Sequence, residues 1–171
     1  YKITGQAAPL NVYKYDTGVG RFALFQSLGS GNLPAALATR TIAFGTLSSK
    51  SFLAVANAWT TTGDWSAHSH VYEWIENTGY QLIRTVDTRG AMDVEFVTTD
   101  KAGGDDVDLL VFASFQFPSA VQVFDIGGAT ATDVDLSAIS SFPALKQTIS
   151  TAGQAHGLNS FAVDNKFYLA V

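Results

Sequence analysis

From Phe52 to Asp100 the chain alternates between short apolar stretches and polar breaks. Four stretches stand out, Phe52–Asn57, His70–Ile75, Tyr80–Val86 and Ala91–Thr98, each rich in β-branched and aromatic residues, with Gly, Asn, Asp and Thr between them. Short runs at regular spacing, bounded by turn-forming residues, predict strands of an all-β sandwich or propeller.

Three patterns recur along the chain and point to the propeller. Leu24–Leu28, Leu82–Val86 and Leu145–Ile149 share an apolar–x–polar–hydroxyl–apolar order. Phe52–Val55, Leu109–Phe112 and Tyr168–Val171 form a second set, and Val12–Tyr15, Val71–Trp74 and Val121–Phe124 a third. The offsets are about 50–63 residues, close to the repeat of a four-stranded propeller blade with lengthened loops.

Period-2 patterning assigns Ala91–Thr98 as the innermost strand of one blade, followed by Asp108–Ser114, Ala120–Ile126 and Ala144–Ser150. The chain thus divides into the last two strands of one blade (1–28), a complete blade (29–88), a second complete blade (89–151) and the first strands of another (152–171). Propellers close with about four to eight blades, and repeat units bury their faces only against neighbours. The expectation is therefore a partial segment of a longer ring, or a subunit completed by others.

Composition narrows the function classes. With 47% hydrophobic and 15% charged residues the chain is a globular one. A net charge of −5 with scattered Lys and Arg argues against a nucleic-acid partner. There is no cysteine, hence no disulfide or thiolate metal site within these residues, and no apolar run long enough for a membrane span. The motifs of nucleotide-binding loops, serine hydrolases and zinc proteases are missing, so a non-enzymatic role is expected.

Candidate site residues fall in the loops. The insertion 58–69 carries Trp59 and Trp65, and Phe115 and Phe117 stand in the loop 115–118 of the next blade, which corresponds to the place of Trp59. Large aromatics on loops suit partner binding, because loops carry function and Trp is enriched at binding hot spots; the competing reading is that they fill the gap between blades. His68 and His70 stand two residues apart at the start of a strand and are not expected to share a metal. Asp93 and Glu95 face one side of the innermost strand, where acceptance of backbone N–H groups from the adjacent blade is expected in preference to acid–base chemistry.

Gly90–Phe96 (GAMDVEF), Phe52–Asn57 (FLAVAN) and Val71–Trp74 (VYEW) carry a family resemblance. Together they are similar to the epilepsy-associated repeat, also called EAR or EPTP, matched almost throughout in the middle unit and more thinly in the flanking ones. Asp100–Asp108 (DKAGGDDVD) in turn looks like the calcium loop of the integrin α-type FG-GAP blade: Asp100 and Asp108 match its ends, while Ala102 and Gly104 stand at central ligand positions. The EAR resemblance implies a seven-bladed propeller in extracellular or cell-surface proteins, acting as a platform for protein ligands, with no cofactor unless calcium. It carries Asp93 over as a candidate to hold a cation or water in the channel, beside Asp100 and Asp108. The leading expectation is a protein-interaction module. A structural subunit of a larger, self-assembling extracellular structure is the second, and a propeller hydrolase or lectin with a central-channel site the third.

Overall fold

The computed structural model describes residues 9–28, 39–47, 50–59, 65, 67–99, 107–116, 119–126, 144–164 and 166–171. Among these the chain is all-β. The strands are β1 (Leu10–Asp16), β2 (Arg21–Leu28), β3 (Thr39–Leu47), β4 (Lys50–Asn57), β5 (Ser69–Ile75), β6 (Gly79–Val86), β7 (Ala91–Thr99), β8 (Val107–Ser114), β9 (Ala120–Asp125), β10 (Ala144–Ser150), β11 (Asn159–Val163) and β12 (Lys166–Ala170). Two four-stranded antiparallel meanders, β3-β4-β5-β6 and β7-β8-β9-β10, are flanked by the hairpins β1-β2 and β11-β12.

The repeat seen in the sequence has a backbone counterpart. In β2, β6 and β10 the register slips around one extra residue: Phe25, Ile83 and Lys146, respectively. These are the second residues of the three matching motifs. The inner strands repeat a bulge as well, at Arg40 opposite Asn57/Ala56 and at Met92 opposite Ser114/Ala113. A bulge bends a strand and increases its local twist, so bulges at matching places give successive sheets the same curvature and let them nest.

Nesting accounts for the continuous apolar runs FLAVA and LLVFA, where a half-exposed strand would alternate apolar with polar. In β4 one face (Phe52, Ala54, Ala56) packs toward Leu110, Phe112 and Phe124 of the next meander, while the other (Leu53, Val55) packs with Leu28 and Tyr72 toward the first hairpin. In β8, Leu110 and Phe112 face back, and Val111 and Ala113 face forward with Val121, Val123 and Ala155. Each central strand lies between two sheets, so both of its faces are buried. Inner strands obey the same logic. Val94 of β7 lies against β3 and is 5% exposed, whereas Ile42, at the same register in β3, is 53% exposed because no described inner strand covers its other side.

Polar side chains also join the sheets. The Gln26 amide bonds the backbone of Tyr80 in both directions, accepting from its N–H at 2.8 Å and donating to its carbonyl at 2.7 Å, as a strand partner would. Thr41 donates to the Met92 carbonyl across the β3–β7 gap. Asp93 Oδ2 accepts from the Leu158 N–H at 2.7 Å, and Glu95 Oε1 accepts from both the N–H and the hydroxyl of Ser160. The two carboxylates thus clamp the approach to β11 and its first residues onto the preceding sheet.

Candidate functional site

An antiparallel meander sends alternate connections to opposite ends. The described residues between β4 and β5, β6 and β7, β8 and β9, and β10 and β11 meet at one end, where Gly90 bonds Ala67 and Phe115, Thr151 bonds Ser119, and His156 meets Phe115. Three of the four aromatics expected on loops meet at this end. Trp59 packs edge-on against Trp65 with centroids 5.3 Å apart, and Trp65 stacks on Phe115 at 4.4 Å with 24° between planes. Phe117 lies outside the described residues. The column extends further than the sequence suggested: the Arg40 guanidinium lies 5.3 Å over the Trp59 ring, and His156 meets Phe115 edge-on at 5.1 Å. Cation–π and offset aromatic contacts of this kind each add on the order of 0.5–1.5 kcal/mol.

The column spans from β3 to the approach to β11, and so joins three sheets. Trp59, Trp65 and Phe115 are each half-buried, and Trp59 Nε1 is buried with no partner among the described residues. By register, Ser114 pairs with Ala91 where Asn57 pairs with Thr39, so Phe115 corresponds to Ala58 and Trp59 to Gln116.

Gly90 is the node beneath this column. Its N–H donates to the Ala67 carbonyl and its own carbonyl accepts from the Phe115 N–H, tying the two aromatic loops together. Its φ of +80° is one that glycine adopts readily. Arg89 beside it also has positive φ, +47°.

Two hollows flank Gln116 at this end. One, of about 270 Å³, has Trp65 and Phe115 for an apolar wall with Gln116 and Gln154 at its edge. The other, of about 260 Å³, is lined by polar residues including Asp87, Arg89 and Gln116. Neither was legible beforehand, since each is assembled from segments far apart in the chain.

The acidic candidates lie apart from one another. Asp93 is engaged by Leu158 and by the N–H of Val94, and the register sets Thr41 opposite Ala56 as it sets Asp93 opposite Ala113, so the acid does not recur there. Asp108, at the other end of the sheets, accepts from the Thr98 hydroxyl. Asp100 lies outside the described residues. Among the described residues no three His, Asp or Glu side chains converge as metal ligands, and no helix is long and apolar enough to cross a membrane.

The histidines differ because His68 precedes β5 whereas His70 lies within it: His68 is exposed, 3.6 Å from Asp87, and His70 is 5% exposed. Asn57 Nδ2 lies 3.2 Å from His70 Nδ1. An amide donor there matches a neutral ring with Nδ1 unprotonated. Burial, helped by His68, pushes the imidazole down from 6.5 to about 4. The unfolded chain therefore takes up a proton at higher pH than the folded one. This contribution is complete above pH 6.5 and is lost as pH falls toward 4, by about 3 kcal/mol. Urea melts of the native protein and of His70→Asn between pH 7 and 4 are expected to show a steeper fall for the native protein; parallel curves would contradict the assignment.

A scan against protein-family models finds no match, and a search of curated proteins finds no significant similarity.

Proposed function

We propose that the chain is part of an EAR-type β-propeller that acts without catalysis, outside the cell or on its surface, as a rigid platform for protein ligands. The observation that carries this reading is the half-exposed column Trp59–Trp65–Phe115 at the end where the described residues of four connections meet. Sheets locked together by bulges and carboxylate clamps hold that surface still, so a partner meets preordered aromatics and little ordering entropy is lost on binding. The resemblance of Gly90–Phe96, Phe52–Asn57 and Val71–Trp74 supplies the family and the compartment.

A second reading, a subunit of a larger extracellular assembly, is favoured by the apolar exposure of the flanking hairpins, where Phe22 and Leu24 of β2 and Phe161 and Tyr168 of β11-β12 are 45–67% exposed. Binding of the purified chain to a panel of cell-surface ectodomains, measured by surface plasmon resonance, separates the two. The platform reading expects a saturable partner whose affinity drops at least about thirtyfold in Phe115→Ala, with folding checked by circular dichroism. Self-association of the chain with no ectodomain bound, or a partner indifferent to Phe115→Ala, would overturn it in favour of assembly.

A further inference from the structure

The polar side chains of the two hollows flanking Gln116 have a chemistry that the protein-platform reading does not use, and beside the Trp65–Phe115 wall that both readings share it suits a neutral polyhydroxylated ligand. We propose that this cleft binds a carbohydrate, with one sugar against Trp65 and Phe115 and its neighbour between Asp87 and Arg89. The side chains at the cleft divide into two groups. Ser114, Ser119, Gln122 and Thr151 spend hydrogen bonds on nearby backbone carbonyls and hold the walls. Gln116, Gln154 and Arg89 make no hydrogen bond among the described residues, and Asp87, largely exposed, meets only the His68 ring at 3.6 Å as a side-chain partner. An amide offers a donor and an acceptor side by side, and an Asp–Arg pair does the same across a wider span. Adjacent hydroxyls of a sugar, each both donor and acceptor, match that arrangement, and the apolar wall suits the C–H face of a pyranose ring.

Other ligand classes fit less well. A phosphorylated ligand needs a cationic pocket, whereas Asp87 balances Arg89 and the chain carries a net charge of −5. A peptide added as a strand needs an unpaired edge; of β8, β9 and β10 only β10 has one, and the hollow lies instead over the face that carries Ser114, Gln122, Thr148 and Ser150. The combined hollows, on the order of 500 Å³, fall in the usual range for small-ligand sites. Arg89 adds an independent indication. At φ +47° a glycine or asparagine would be less strained than arginine, and among the described residues no hydrogen bond or ion pair of Arg89 repays that strain.

The test is a titration of the purified chain with maltotetraose, cellotetraose, triacetylchitotriose and a β-galacto-oligosaccharide, followed by NMR. At least one is expected to shift the Gln116 and Gln154 amide and Trp65 indole resonances saturably. Gln154→Ala and Arg89→Gly are each expected to weaken that binding about tenfold, the equivalent of one or two hydrogen bonds. Arg89→Gly should also melt no lower than the native protein, which separates a binding role from a structural one. No saturable shift with any of the four sugars, shifts confined to other residues, or native affinity in both variants would overturn the proposal. So would a proline-rich peptide that saturates these resonances where no sugar does. Trp65 and Phe115 line both surfaces, but Gln154 and Arg89 belong to the cleft alone, so the two readings fail separately.

Discussion

Replacing Phe112 with alanine is expected to destabilise the fold by about 3–5 kcal/mol, the range for removing a fully buried aromatic ring. Phe112 is 0% exposed, lies edge-on to Phe124 at 6.0 Å, and belongs to the cluster that includes Phe52, Ala54 and Val71 of the preceding meander. Its ring therefore supports the contact between two sheets as well as packing within one. The surrounding backbones are held by strand pairing on both sides, so the cavity has little freedom to collapse. Phe44, also aromatic and on an inner strand, is 60% exposed; Phe44→Ala should change stability by no more than about 0.5 kcal/mol. Guanidinium melts of both variants check the contrast, and equal losses would mean that the sheets do not nest as described.

The second large effect is expected at Gly90. A Cβ there would sit 2.7 Å from the carbonyl oxygens of both Ala58 and Trp65, and the φ of +80° adds strain for any L side chain. Two backbone segments would have to move, and both carry the aromatic column. Gly90→Ala is expected to cost about 2–5 kcal/mol, combining left-handed strain with overpacking. Ring-current shifts of the Trp65 indole should shrink as the stack on Phe115 loosens. Gly153 provides the control: an added Cβ there meets nothing within 4 Å, so Gly153→Ala should be neutral within about 0.5 kcal/mol. A thermal melt in which Gly90→Ala is as stable as Gly153→Ala would contradict the geometry at this node.

Much of the architecture was legible in the residues because its causes are local. Strands flanked by sheets on both faces must be apolar at successive positions, so FLAVA and LLVFA declared themselves. The second residue of each Leu-x-x-Thr/Ser-x motif falls on a bulge, which keeps the motif's order fixed as loop lengths vary. The preference for Asp93 and Glu95 as acceptors of neighbouring backbone N–H groups followed from their shared face on an inner strand, and Leu158 and Ser160 are those donors.

The site was less legible, for a physical reason. Trp65 stacks on Phe115 from fifty residues away, and that contact depends on the angle between successive sheets, which residue order does not encode. Arg40 and His156 join the column for the same reason. Gln154 and Arg89 gave no signal beforehand, being ordinary polar loop residues until three connections converge around Gln116.

The central claim is that successive sheets lie face to face and are clamped by side chains of one onto the backbone of the next. Amide hydrogen exchange at Leu158 and Ser160 tests it most directly. Leu158 lies before β11 and Ser160 within it, yet both N–H groups donate to carboxylates of β7. Both are predicted to be protected in the native protein, with protection at Leu158 falling selectively in Asp93→Ala and at Ser160 in Glu95→Ala. Exchange of both amides in the native protein at the rate of an open chain would contradict the stacked arrangement on which the rest is built.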